Sequence, residues 1–189
     1  VWRSGLKDLF ENGIDAFMPH IGEGRRVLIE FVSANPTGPL HIGHGRGAVV
    51  GDVLANILSS VKYDVVREYY INDAGRQIAT LGESTYLRLL EIRGEKIDFP
   101  DGLYKGEYIK DIAALLIEKG IDISERRDDA IRFLSQFSSS IVMEGIKKDL
   151  FDFGVIFDSY FRETELYKSG MVDDTIEELR SKGIAYEKD

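Results

Sequence analysis

The 189-residue chain has no cysteine, which removes disulfides and thiolate metal sites together. No apolar run approaches the roughly 20 residues of a membrane span, and no amino-terminal stretch has the basic-then-apolar layout of a secretory signal. The expectation is a cytoplasmic protein with no membrane partner. Basic charge is scarce too: 24 Lys and Arg stand against 33 Asp and Glu, a net charge of −9. Such a chain is a poor electrostatic clamp for a phosphate backbone, so any nucleic acid must be met locally or by other parts. Prolines number four and histidines three, and two of each fall within one short stretch, "SANPTGPLHIGHGRG", residues 33 to 47.

What is present suits a folded α/β domain. Hydrophobic residues at 43% and charged residues at 30% lie near the globular average, and the length allows one domain, or one domain with an insertion. There is no internal repeat and no low-complexity tract. The chain begins with Val and stops at "IAYEKD", which reads as a strand start, so a piece of a larger protein is expected.

Residues 1–26 read as a lead-in with a short helix near 6–10. "RVLIEFV" predicts a buried strand over 27–33, interrupted only by Glu30. Pro36, Gly38 and Pro39 end it in a turn. Val49, Val50, Val53, Leu54, Ile57, Leu58 and Val61 recur as one apolar helical face, predicting a helix over 41–61. A second strand follows over 64–71, then a helix over 76–93; strand, helix, strand implies a parallel pair. Residues 94–153 break the alternation with a loop and two helices, 107–119 and 126–152, and read as a mainly helical insertion. Residues 154–189 return to the sheet with a strand near 155–161 and one helix closed by Gly183. The fold expected is a partial doubly wound parallel sheet, Rossmann-like.

In a parallel sheet the ligand crevice lies beyond the carboxyl ends of the strands, where the loops 33–40 and 72–75 both belong. His41 and His44 share one face of the first helical turn, at an end that favours phosphate. Imidazole can donate a hydrogen bond while neutral and gain charge near physiological pH, so the pair suits charge developing on a phosphoryl group. Gly43 allows a flat ring such as adenine to approach, and Gly45 and Gly47 are expected to permit tight helix–sheet packing. A carboxylate within an apolar strand, Glu30, calls for a cation: either a bound guanidinium or an internal partner such as Arg67. Asn72 and Asp73 fit equally a functional role and a cap for the helix near Gly75. The tyrosines Tyr69, Tyr70, Tyr104 and Tyr108 could stack on nucleotides, but tyrosine in strands and helices is mostly packing, and they are given no site.

At these residues the sequence resembles the class I aminoacyl-tRNA synthetases, whose HIGH signature is His41, Ile42, Gly43 and His44. The frame "IEFVSANPTGPLHIGHGRGAVVGD" (29–52), with "YYINDAGRQI" (69–78), "LGES" (81–84) and "YKGEYIKDIA" (104–113), is similar to the arginyl members. The resemblance implies activation of L-arginine with ATP to arginyl-adenylate, then transfer to tRNA(Arg), with Mg²⁺ accompanying ATP but no protein cage to retain it. It implies that the HIGH region is Ala34, Asn35, Pro36, Thr37, Gly38, Pro39, Leu40, His41, Ile42, Gly43 and His44. Within it, His41 and His44 would be catalytic and bind ATP with Gly43; Glu30, Ser33, Asn35 and His44 would hold arginine. No protein metal ligand is implied.

The departures are a missing KMSKS-type lysine loop, a missing second half of the sheet, and missing amino-terminal and anticodon-binding domains. "YKSGM" (167–171) shares some KMSKS letters but falls inside the predicted helix. The expectation is a catalytic-domain fragment, inactive alone. Two alternatives stay open: a nucleotidyltransferase with an HxGH signature, and a non-catalytic synthetase-like binding module.

Overall fold

The computed structural model describes residues 2–123 and 126–186. Three parallel strands, β1 (Arg26–Glu30), β2 (Asp64–Ile71) and β3 (Ser159–Arg162), lie in the order β1-β2-β3. Seven helices accompany them: α1 (Trp2–Asn12), α2 (Ile42–Ser60), α3 (Arg76–Ile92), α4 (Glu107–Glu118), α5 (Arg127–Asp152), α6 (Glu163–Lys168) and α7 (Met171–Ser181). The register pairs Ile29 with Arg67, Glu30 with Glu68, and Tyr69 with Tyr160. The predicted strand–helix–strand unit is therefore present and parallel.

One face of the sheet carries the core. Phe31, Tyr69 and Ile71 meet Ala48 of α2, Val142, Met143, Ile146 and Leu150 of α5, and Val155 and Phe157 of the approach to β3. A second cluster joins α3, α4 and α5 through Leu89, Ala113, Leu116 and Leu134. Residues 107–152 thus both pack on one another and close this face of the sheet. Two helical glycines let these layers approach closely. A Cβ on Gly51 of α2 would lie 2.2 Å from the Phe31 ring, and one on Gly82 of α3 would lie 2.6 Å from the carbonyl oxygen of Ile131 on α5. Gly45 and Gly47, expected to serve close packing, have nothing within 4 Å; the close approach of helix to sheet belongs to Gly51.

Several boundaries differ from the sequence reading, each for a physical reason. β1 stops at Glu30 rather than residue 33, because Val32 and Ser33 turn into positive φ (66° and 40°). α1 extends over Trp2–Asn12 rather than 6–10. β3 begins at Ser159, since Val155 and Phe157 are buried by packing rather than by a ladder. The single helix expected from 165 to 183 is two, broken where Gly170 adopts φ 79°, a conformation glycine takes without Cβ strain. Gly183, at φ 66°, closes α7 as expected. No strand starts at 184–186, and 187–189 lie outside the described residues.

The second face of the sheet is open. Arg26, Leu28 and Glu30 alternate as exposed residues along β1, with Leu28 at 57%. The apolar stripe of α2 is likewise exposed at Val49, Val50, Val53, Leu54 and Ile57. Helical periodicity identified that stripe correctly, but the side of α2 that meets the sheet is Ala48, Gly51 and Ala55.

Candidate active site

The loop that leaves β1 is pinned by its neighbours. The Ser33 hydroxyl accepts a hydrogen bond from the Tyr70 amide at 3.1 Å, and the buried Tyr69 hydroxyl donates to the Ala34 carbonyl at 2.8 Å. The Tyr69 oxygen is so enclosed that burial drives its pKa far upward, keeping it a neutral donor. These bonds replace the strand ladder and account for the left-handed backbone at Val32, which a β-branched residue adopts only where its surroundings impose it. The Asn35 amide donates to the Gln77 side chain at 2.6 Å, so the loop after β1 meets the first turn of α3, whereas Asp73 of the loop 72–75, expected to face the same crevice, lines a separate cavity. The Tyr108 hydroxyl, from the first turn of α4, donates to the Thr37 carbonyl at 2.7 Å and lies beside Gly38.

The histidines form a reciprocal cap at the start of α2. His41 is the extended N-cap residue (φ −125°, ψ 172°), and its Nδ1 accepts from the Gly43 amide at 3.1 Å. His44 Nδ1 accepts in turn from the His41 amide at 3.2 Å. The rings are stacked, 3.7 Å between centroids and 18° apart. A Cβ on Gly43 would lie 2.9 Å from the His41 ring, so the glycine makes room for that ring as well as for any ligand. Two helix-end N–H groups expected to be free for phosphate are thereby occupied. In exchange, each Nδ1 that accepts leaves its neutral ring with an Nε2–H donor. The His44 pKa is lowered, first by burial and second by the His41 ring, which favours that neutral donor form.

Two hollows meet at His41. A polar one is lined by Asn35, Thr37, Gly38, His44, Gln77, Tyr104 and Tyr108. An apolar one, about 820 Å³, runs over Gly43, Gly45 and Val49 toward Leu150 and Phe153. The sequence reading assigned Tyr104 and Tyr108 to packing and did not single out Gln77. The structure brings all three to the crevice, and the only advance signal was the "YKGEY" and "GRQI" context.

The remaining site expectations divide. Glu30 is exposed at the end of β1, not buried within it, and Arg67 is not its partner: Arg67 bonds Asp52 at 3.3 Å and Asn56 at 2.7 Å. Glu30 stands instead beside Glu68 in the register, two carboxylates on the open face. Asp73 does not cap α3, whose N-cap Gly75 has no side-chain cap bond. Its carboxylate accepts from Arg162 at 3.0 Å and from the Thr164 amide and hydroxyl, both at 3.1 Å, tying β2 to the start of α6. Asn72 follows at the carboxyl end of β2, half-buried.

The family model for the class I arginine tRNA synthetase catalytic domain matches residues 8–98. Arginine–tRNA ligase of Citrifermentans bemidjiense is 48% identical over 190 residues, covering all of this chain. Over its whole length the chain is similar to arginyl-tRNA synthetases. The arginine–tRNA ligase of Anaplasma marginale is 47% identical over 186 residues, 98% of the chain. A solved Campylobacter jejuni structure described as an arginyl-tRNA synthetase superposes over 96% of the chain and 40% of its own, at TM-score 0.84 and 36% identity. The Thermus thermophilus arginyl-tRNA synthetase shares the fold, at TM-score 0.53 and 24% identity over 83% of this chain and 26% of its own. The chain spans about a third of the length of the curated synthetases it matches, 34% and 32% for the two ligases above.

Proposed function

We propose that the chain supplies the ATP- and arginine-binding part of an arginine–tRNA ligase active site. In that reaction the arginine carboxylate attacks the α-phosphorus of ATP, giving arginyl-adenylate and pyrophosphate, and the arginyl group then passes to a terminal ribose hydroxyl of tRNA(Arg). The observation that carries the reading is the stacked histidine pair. Its reciprocal cap leaves each neutral ring an Nε2–H donor at a helix start, where the backbone already favours anions. His41 and His44 donate to the phosphates and stabilise charge as the pyrophosphate bond breaks. The purine lies against Gly43 in the apolar hollow.

Arginine sits at the carboxyl end of β1. Glu30 takes the guanidinium, and Glu68 beside it adds attraction, since two adjacent carboxylates on an open sheet face are mutually repulsive until a cation joins them. Ser33 and Asn35, held by Tyr70 and Gln77, position the amino acid, with His44 between the two substrates. Mg²⁺ arrives with the triphosphate. Among the described residues no group of three or more His, Asp or Glu is placed to hold a metal. tRNA engages through the longer enzyme, in the cytoplasm. No helix of the described residues is long and apolar enough to cross a membrane.

Titrating the chain with ATP and with arginine, each followed by backbone amide shifts, tests the reading. ATP should move Gly43 and His44, arginine should move Glu30, Ser33 and Asn35, and pyrophosphate exchange by the chain alone should be absent. In a full-length ligase carrying this segment, replacing both His41 and His44 with Ala should abolish charging while leaving the melting temperature nearly unchanged. Retained charging removes the pair from the mechanism.

A further inference from the structure

A cavity of about 360 Å³ lies apart from the two hollows at His41 and shares no lining residue with them. It opens beside the carboxyl ends of β2 and β3, floored by the middle of α5 and walled by α6. Ligands of parallel sheets bind at that end of the strands. Its lining is cationic on balance. Asp73 is spent on Arg162 and Thr164, while Lys168 makes no ion pair among the described residues. The floor offers a hydroxyl to the cavity: Ser139 is 6% exposed as a residue and lines the cavity, and its oxygen, open to solvent, has no hydrogen-bond partner among the described residues. Serines within helices commonly bond the preceding turn, as Ser135 does to the Ile131 carbonyl at 2.8 Å, whereas the Ser139 hydroxyl is left for a ligand or water.

We propose that this cavity binds a single phosphate group. The Ser139 hydroxyl, the Arg162 N–H groups not used on Asp73, and the Lys168 ammonium approach from three elements, an arrangement matched to a tetrahedral oxyanion with several acceptor oxygens. The same chemistry is offered by free phosphate and by one phosphodiester of an RNA strand. The site goes beyond the proposed activation of arginine and does not depend on it, because neither arginine nor ATP enters the test.

The 189-residue chain is titrated with inorganic phosphate and, separately, with a short single-stranded RNA, and backbone amide shifts are followed. Saturable shifts confined to Ser139 and residues 162–168 are expected with phosphate. The same residues responding to RNA at lower concentration identify the phosphodiester as the ligand, and a response to phosphate alone identifies the free oxyanion. Ser139→Ala, which keeps the helix and nearly the same volume, and Lys168→Gln, at an exposed position, should each weaken binding about tenfold. Lys148→Gln, whose parent side chain pairs with Asp152 at the far end of α5, should leave it unchanged. Absence of saturable shifts at these residues with both probes, or equal affinity in both cavity variants, overturns the proposal.

Discussion

Glycine at position 51 is the point where α2 meets the sheet, and alanine there should destabilise the chain although alanine is the better helix former. A Cβ would lie 2.2 Å from Cγ, 2.3 Å from Cδ2 and 2.7 Å from Cβ of Phe31. The clash is with the root of that side chain, so rotation of the ring about its outer bonds gives no relief. Phe31 is 9% exposed and packed against Phe157 at 4.4 Å between centroids, the rings tilted by 32°, so α2 must move off the sheet. Overpacking of this severity belongs at the upper end of the usual range, about 3 kcal/mol. The helix-propensity gain from Gly to Ala returns about 1 kcal/mol, leaving a net loss of about 2 kcal/mol.

Gly47 on the same helix gives the matched control. Nothing lies within 4 Å of a Cβ there, so Gly47→Ala should gain about 1 kcal/mol from propensity alone. For a chain of this length, 1 kcal/mol corresponds to about 2–4 °C in Tm. Gly51→Ala should therefore melt about 4–8 °C below the parent, and Gly47→Ala about 2–4 °C above it. Thermal unfolding by far-ultraviolet circular dichroism, with urea slopes to confirm that the unfolded state is unchanged, reads both shifts. If Gly51→Ala melts at or above the parent, the close helix–sheet contact is refuted. Movement of both variants in the same direction would refute the assignment of opposite roles to the two glycines.

The lowered His44 pKa means that the folded state binds its proton less readily than the unfolded chain does. The contribution of the neutral pair is then complete above the ordinary value of 6.5 and drains away as pH falls below it. An NMR titration should place the His44 midpoint below 6.5, rising in His41→Asn; a midpoint unaffected by that change contradicts the coupling. Tyr108→Phe leaves the Thr37 carbonyl without its donor, which should cost about 1 kcal/mol in urea unfolding and speed hydrogen exchange at Thr37 and Gly38. Asp73→Asn weakens three bonds across β2, β3 and α6 and should cost about 1–3 kcal/mol; a change under a few tenths would show the link carries little.

The front of the fold was legible because its signals are local. A β-branched run, a Pro-Thr-Gly-Pro turn and an apolar helical period define β1, α2 and β2 without reference to anything distant. The end of β1 was not legible, because Phe31-Val32-Ser33 has strand propensity and is overruled by bonds from Tyr69 and Tyr70, more than thirty residues away. Tyr108 reaches Thr37 across 71 residues, so no local pattern could place it in the crevice. Asp73 looked like a helix cap because Asx residues ahead of a helix usually are; its partners lie 89 and 91 residues on.

Glu30 exposes a different limit, and the topology explains it. The apolar run around it was taken to mean burial on both faces, the rule for a strand in a fully covered parallel sheet. Here β1, β2 and β3 step in one direction, and α2 and α5 both pack on the face of Phe31, Tyr69 and Ile71. Successive right-handed crossovers in one direction place their helices on one side, which leaves Leu28, Glu30 and Glu68 on the other. In a doubly wound sheet the ligand crevice forms where the strand order reverses, beside the first strand. Glu30, Ser33 and Asn35, the residues proposed to hold arginine, follow one another at the carboxyl end of β1, whose outer edge has no partner among the described residues. The exposure of Glu30 therefore follows from the topology that leaves this face of the sheet uncovered, and it suits the arginine site proposed above. A carboxylate facing a closed core would have required an internal cation, whereas one on an open face is available to a guanidinium that comes and goes.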